Sequence, residues 1–264
     1  MQFKDKKVWI TGASSGIGEA LAYAFNSEGA KLILSARRKE ELERVAAACE
    51  DTDDRVFILP LDLSKPETFA GATEKAQAHF GGIDILVNNG GVSQRATAME
   101  SSMDSFRQIM EINVFGTIGL TKAVLPYMVE QKSGHIVVIS SVMGKIGTKF
   151  RSGYAASKHA LHGWFDCLRQ EMYEHSIDVT LVCPGYVKTN ITKNALTADG
   201  TAFGKMGDAH STAMTTDRFT KILLPKIARK KEEVYIGGKE VLTVYLKRFF
   251  PRLLNRILRN VKVT

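Results

Sequence analysis

Tyr154 and Lys158 stand four residues apart in a stretch that reads as a long helix, Gly153–Glu174, so they share one face. A phenol ionises near pH 10, too high for proton transfer at neutral pH. An ammonium beside it favours the phenolate and lowers that value. Such a pair can give a proton to a carbonyl oxygen or take one from an alcohol. Ser141, just after the apolar run His135–Ser140, can hydrogen-bond the same oxygen and polarise it. Each residue alone is more often a half-buried aromatic, a solvated charge or a plain hydroxyl. Their joint occurrence carries the reading.

A second group of residues suits a phosphate. Thr11-Gly12-Ala13-Ser14-Ser15-Gly16-Ile17-Gly18 lies between the apolar run Val8–Ile10 and the helical stretch Ile17–Glu28. Glycines there let backbone approach a pyrophosphate, and the helix start points free N–H groups at it. The next apolar run ends Leu34-Ser35-Ala36-Arg37-Arg38, with no acid before Glu40. A carboxylate at that place would bind a ribose 2′-hydroxyl. Arg37, helped by Ser14, instead suits charge-assisted bonds to a 2′-phosphate, and Arg38 can stack on adenine or assist. The charge logic points to NADP(H) as cofactor; the other reading leaves the arginines as surface charges.

The elements that must position these groups alternate. Strands are expected at Val8–Ile10, Lys31–Ser35, Arg55–Leu59, Ile83–Val87, His135–Ser140, Asp178–Cys183 and Val234–Ile236. Helices are expected at Ile17–Glu28, Lys39–Glu50, Pro66–Phe80, across 103–131 and over Gly153–Glu174. Short continuous apolar runs between helices mean buried parallel strands. The fold class is α/β: a single-domain, doubly wound Rossmann fold with a parallel seven-stranded sheet spanning 1–264. Residues 190–215, with Gly200, Gly204 and Gly207, break the alternation after the sixth strand and read as a substrate lid.

At this point the chain resembles the short-chain dehydrogenase/reductase family over nearly its whole length. The motifs are the Thr-Gly-x-x-x-Gly-x-Gly turn, Asn88-Asn89-Gly90-Gly91, Asn113, Ser141, Tyr154-x-x-x-Lys158 and Pro184-Gly185. Gly90 departs from the family's usual alanine, a small change. The resemblance implies a catalytic set of Asn113, Ser141, Tyr154 and Lys158. It also implies that Lys158 holds the nicotinamide ribose and that Asn113 supports a water linking Lys158 to solvent. Gly12, Ser14, Ser15, Gly16, Ile17, Gly18, Asn89, Gly90, Pro184, Gly185, Val187 and Thr189 would hold the dinucleotide, with Thr189 on the carboxamide and Asp62 and Leu63 at the adenine. The implied activity is hydride transfer between NADP(H) and a carbonyl or secondary alcohol, with reduction favoured where NADPH is kept reduced. A homodimer or homotetramer paired through the Gly153 helix is implied as well. Asn194–Gly200 and the C-terminal stretch resemble a membrane-associated branch related to hydroxysteroid dehydrogenases, which suggests a hydrophobic or lipid-like substrate.

Composition bounds the rest. With 44% apolar and 24% charged residues, the chain is an ordinary globular one, not a disordered chain, a collagen or a coiled coil. Three cysteines without Cys-x-x-Cys spacing argue against a disulfide framework or structural zinc, and suggest a reducing compartment. His159 and His162 lie three apart without an acidic partner at metal-ligand spacing; they read as surface or subunit-contact residues, and no metal is expected. Ser141 lacks the Gly-x-Ser-x-Gly elbow of a hydrolase. No signal-like apolar segment precedes Val8, and no run reaches the roughly 18 uncharged apolar residues of a membrane span. The expectation is a cytoplasmic protein.

Net charge is +8, of which residues 241–264 carry +6 and no acid, leaving a nearly neutral body. The body has no basic stripe, so nucleic-acid binding is not expected. After Pro251 a helix is expected to about Val261, with Leu254, Ile257, Leu258 and Val261 as an apolar stripe beside Arg252, Arg256 and Arg259. That pattern fits peripheral contact with a membrane surface, or packing on the domain or a partner subunit. Two further functions stay open: an NAD-dependent alcohol dehydrogenase, and a catalytically idle cofactor-binding scaffold.

Overall fold

Val8 and Ile10 on one side of the first strand, and Trp9 on the other, are all fully buried. A strand buried on both faces needs helices on both, which is why its residues are continuously apolar. The computed structural model describes residues 1–50, 52–204 and 213–260. Its strands are β1 (Lys7–Thr11), β2 (Lys31–Ser35), β3 (Val56–Ile58), β4 (Ile85–Asn88), β5 (Gly134–Ile139), β6 (Ile177–Pro184) and β7 (Glu233–Ile236). They form one sheet, β3-β2-β1-β4-β5-β6-β7, with every pairing parallel.

The helices are α1 (Gly16–Ser27), α2 (Lys39–Ala47), α3 (Thr52–Arg55), α4 (Phe69–Phe80), α5 (Met103–Met110), α6 (Gly116–Gln131), α7 (Ser152–Glu171), α8 (Thr216–Ala228), α9 (Leu242–Phe249) and α10 (Pro251–Asn260). On one face of the sheet α1 and α8 pack Leu21, Phe25, Phe219 and Leu223 over Val8, Ile10 and Leu34. On the other, α4, α6 and α7 pack Phe69, Val124 and Phe165 over Trp9, Ile33 and Val138. The strand order reverses between β1 and β4, so a crevice opens at the carboxyl ends of those strands, the place where open α/β sheets bind ligands.

Several features add to or differ from the sequence expectation. The run 103–131 is helical but is broken by a π turn at Glu111–Phe115. This run has the length and apolar content of a membrane span, yet Leu120, Val124 and Met128 pack it onto the sheet. α8 has no counterpart in the sequence reading. His162, expected at the surface, is 5% exposed, because its face of α7 lies over β6.

The 190–215 stretch is partly ordered by pairing: Leu196 N–H donates to Ser93 O at 2.9 Å, and Arg95 N–H donates to Leu196 O at 2.8 Å. Ser102 N–H and Ser105 Oγ–H donate to Ala198 O and Thr197 O, tying the segment to the start of α5. Residues 205–212 of the expected lid, Gly207 among them, lie outside the described residues. In α10, Leu254 is buried, Leu258 is half-buried, and Leu253 and Ile257 are exposed. The expected stripe therefore splits between the domain and solvent; Val261 and Lys262 lie outside the described residues.

Candidate active site

The first β–α junction sets the floor. Gly12 takes φ +64°, and a Cβ there would lie 2.9 Å from both Asn89 Nδ2 and Gly90 Cα. The backbone after β4 can come this close only to a glycine. Thr11 Oγ1 accepts from the N–H groups of Asn89 and Gly90, each at 3.0 Å. Asn89 Nδ2 donates to Thr11 O and Gly12 O at 3.0 and 3.2 Å. The loops after β1 and β4 are thus fastened together. A Cβ on Gly18 would collide with Gly12 O, so this glycine lets α1 pack on the turn. No side chain caps the N-terminus of α1 at Ser15. Its first amides are therefore free for an external acceptor, and they border the crevice.

The crevice is a cavity of about 520 Å³. Gly12, Ser14, Ser15, Gly16, Ile17, Arg37, Arg38, Asp62, Leu63, Asn89, Gly90, Ser141, Tyr154, Lys158, Pro184, Gly185, Val187 and Thr189 all line it. Two sequence-predicted residues do not. Gly18 sits behind the wall. Asn113 is buried within the π turn, where its Oδ1 accepts from Val92 N–H at 2.8 Å and its Nδ2 donates to Val92 O and Ser157 Oγ. Asn113 Oδ1 and Lys158 Nζ border the same residue, Gly91.

Ser141, Tyr154 and Lys158 meet at the inner end, each less than a tenth exposed. Ser141 is held by Met143 N–H, which donates to its Oγ at 3.1 Å. Lys158 Nζ donates to Ile139 O at 2.9 Å and lies 5.8 Å from the centroid of the Tyr154 ring. Burial pushes Lys158 down to about 8. The sequence reading has Lys158 lowering the Tyr154 phenol. In the structure burial dominates and raises that phenol above its ordinary value, while the Ser141 hydrogen bond and the Arg151 charge pull it down. Spacing puts Tyr154 and Lys158 on one face, but the ammonium is directed at the Ile139 carbonyl.

Two positioning residues escape the sequence. Gln94, fully buried, accepts on Oε1 from the N–H groups of Gly153 and Tyr154 at 2.6 and 3.3 Å, supplying the first turn of α7 with an acceptor. Glu240 accepts on Oε1 from Tyr186 N–H and Gly238 N–H, tying the loop after Pro184-Gly185 to the segment after β7. Neither has a local signal, since their partners are distant in sequence or are plain backbone groups. The far wall of the crevice carries apolar Val92, Ile112, Ile191, Leu196 and Ala202, with Gln108, Asn190 and Asn194 as its polar members.

A sequence profile described as short chain dehydrogenase matches residues 6–200. The chain belongs to the short-chain dehydrogenase family. It is 44% identical over 257 residues to "Dehydrogenase/reductase SDR family member 7" of Homo sapiens, covering 95% of this chain and 76% of that one. It is 41% identical over 256 residues to "Dehydrogenase/reductase SDR family member 7B" of Mus musculus, covering 95% and 79%. Among solved structures, a short-chain dehydrogenase from Streptomyces avermitilis superposes with a TM-score of 0.80 at 29% identity, covering 98% of this chain and all of that one. A short-chain dehydrogenase/reductase from Burkholderia phymatum, solved in complex with NAD, gives 0.85 at 24% identity with 96% of each chain covered, a likeness of fold. As a short-chain dehydrogenase the protein is an oxidoreductase.

Proposed function

We propose that the protein is an NADP(H)-dependent reductase of carbonyl groups, with Tyr154 as proton donor, Ser141 polarising the carbonyl oxygen, Lys158 on the nicotinamide ribose and Asn113 positioning the Lys158 surroundings. The observation that carries this is the convergence of Ser141, Tyr154 and Lys158 at one end of a crevice whose other end is the uncapped start of α1. The bound dinucleotide supplies the hydride. The chain supplies the rest. Ser141 and Tyr154 hold the carbonyl oxygen, and Tyr154 hands it a proton as negative charge develops there. The elevated pKa of the free phenol keeps that proton in place at neutral pH. Lys158, lowered to about 8, can pass a proton back near neutrality.

The choice of NADP(H) rests on Arg37 and Arg38, which line the crevice beyond β2, and on the lack of a carboxylate before Glu40. The apolar residues of the far wall support a hydrophobic, lipid-like substrate. The outward face of α7, with Ala156, Gly163 and Cys167 exposed and Trp164 half-buried, supports pairing of subunits. Among the described residues, α9 and α10 expose Tyr245, Phe249, Phe250, Leu253 and Ile257 beside Lys247, Arg248, Arg252, Arg256 and Arg259, which supports peripheral contact with a membrane from the cytoplasmic side. The direct test is NADPH and NADH consumption by the pure protein with steroids, acyl ketones and small carbonyls. Turnover with NADPH and an apolar ketone is expected; a preference for NADH, or binding without turnover on the whole panel, would replace this reading.

A further inference from the structure

Behind the Ser141 corner, on the outer side of β5, lies a polar cluster that the proposed reaction does not use. His162 comes from α7, one turn past Lys158; Cys183 is near the end of β6; Glu233 opens β7. Their donor atoms all lie within 4.8 Å of one another. Cys183 Sγ is 3.8 Å from Glu233 Oε1 and 3.6 Å from His162 Nε2, and His162 Nδ1 is 3.7 Å from Glu233 Oε1. A tetrahedral zinc ion with bonds of about 2.0 Å to N and O and about 2.3 Å to S sets neighbouring donors roughly 3.3–3.6 Å apart. The Cys183–Glu233 and His162 Nδ1–Glu233 pairs, at 3.8 and 3.7 Å, need only slight closure to reach that size, and the three donors together lie within 4.8 Å.

The histidine supplies the independent sign of a ligand. His162 is 5% exposed, and its Nδ1 has no hydrogen-bond partner. Its Nε2 lies 3.1 Å from Ser140 Oγ. With the ring proton assigned to Nε2 and donated to Ser140, the Nδ1 lone pair is left without a donor, 3.7 Å from Glu233 Oε1. Metal-binding histidines are oriented in this way, one nitrogen to the ion and the other to an outer partner.

We propose that His162 Nδ1, Cys183 Sγ and Glu233 form a site for a divalent cation of the zinc class, with water as fourth ligand, that clamps α7, β6 and β7 together beside Ser140. A nitrogen, a thiolate and a carboxylate are the donor set that zinc takes. Two features oppose binding and give the site its sharpest test. Lys145 Nζ sits 2.9 Å from Glu233 Oε1 and already supplies a positive charge there. Its side chain is 27% exposed, so the ammonium can leave for solvent when the ion arrives. Cys183 is a free thiol, so binding must expel its proton: the ion and Cys–SH give a metal–thiolate bond and one released proton. With thiolate and carboxylate the occupied site is neutral.

The experiment is a Co²⁺ titration of the chelator-stripped full chain, followed by absorption. One equivalent should produce the visible bands of tetrahedral cobalt and a near-ultraviolet thiolate band, with one proton released, and Zn²⁺ should displace it. Cys183→Ser should abolish the thiolate band and His162→Gln should weaken binding. Lys145→Ala, which changes no proposed ligand, should tighten binding by about two- to fivefold, the scale of one partly exposed ion pair. Absence of stoichiometric bands in the wild type overturns the proposal. So does a thiolate band that persists in Cys183→Ser, because exposed Cys167 would then be the ligand. Unchanged or weaker binding by Lys145→Ala overturns it even if the two core variants fail to fold. None of these readings depends on turnover, so failure of the assigned reaction and failure of this site are separate results.

Discussion

The corner that holds Ser141, Tyr154 and Lys158 and the terminal pair α9–α10 are built on opposite terms. The corner is made of core: its three side chains are each less than a tenth exposed, and they hang from β5 and from a helix packed on the sheet. In the terminal pair Leu254 alone is buried, while Leu242, Tyr245, Phe249, Phe250, Leu253 and Ile257 are exposed. A proton-transfer site needs fixed distances and dry surroundings, which only a packed interior gives. An interface element needs its apolar surface unsatisfied. The first region should therefore respond to single atoms, and the second to the loss of whole patches.

The largest effect is expected in the corner. Tyr154→Phe removes one hydroxyl and keeps the buried ring. The turnover rate on the best carbonyl substrate should fall by roughly 10²–10⁴-fold, the range for a lost general acid. Binding of NADPH, followed by nicotinamide fluorescence, should survive. Near-normal turnover would show that the buried phenol is not the proton donor.

A second effect tests how dry this interior is. His135 lies between β4 and β6 with Nε2 2.8 Å from Thr180 Oγ1, and burial pushes it down to about 4. A base depressed in the fold stays neutral while the unfolded chain takes the proton. Stability from this group is present above pH 6.5 and is lost as pH falls from about 6.5 towards 4. The slope is about 1.4 kcal/mol per pH unit, or on the order of 3 kcal/mol across that window. Urea unfolding of wild type and His135→Gln at pH 6.5, 5 and 4 should give a difference that shrinks by that amount. A difference independent of pH would mean that His135 is solvated.

A third, smaller effect sits at the exposed rim of the crevice. Arg37→Ala should weaken NADPH more than NADH, by about ten- to a hundred-and-fifty-fold, because a charged hydrogen bond is worth about 1.5–3 kcal/mol. Equal weakening of both cofactors would remove Arg37 as the discriminator.

These regions also differ in how much of them could be read from residues alone. The glycine turn is a fixed motif: Gly12, Gly16 and Gly18 fall within seven residues, so their spacing can be read directly, although the groups that demand them, Asn89, Gly90 and Thr189, come from distant loops. The strand runs are local, because burial on both faces leaves them continuously apolar. Gln94 is the opposite case. It serves α7 from 59 residues away, and nothing in its neighbours says so. The spacing of His162 from His159 shows only that both are on one helix, not that one of them lies over β6. The π turn around Asn113 cannot be told from an α turn by helical periodicity. The direction of the Lys158 ammonium is set by the carbonyl of Ile139, a tertiary contact that the spacing of four does not contain.

The smallest effect on the fold, and the largest on where the protein sits, should come from the tail. α10 is held to the body by Leu254 and by Lys149, whose Nζ donates to Arg259 O at 2.9 Å. Ending the chain at Phe250 removes that anchor together with Arg252, Arg256, Arg259 and Lys262. One buried leucine and one exposed hydrogen bond are worth only a few kcal/mol, and neither group borders the crevice. The truncated chain should therefore stay folded, with near-normal turnover on a small water-soluble carbonyl. Each basic residue near an anionic surface contributes about 1 kcal/mol, so losing four should reduce liposome binding by at least tenfold. Flotation with phosphatidylserine-containing vesicles checks this, with neutral phosphatidylcholine vesicles as the control. The full chain should float with the anionic vesicles and be released by salt, because the attraction is screened. If neither chain floats, or both float equally, α10 is not a membrane anchor. If truncation instead converts an oligomer to monomer in sedimentation, that face is a contact between subunits, and the basic residues are its solvated rim.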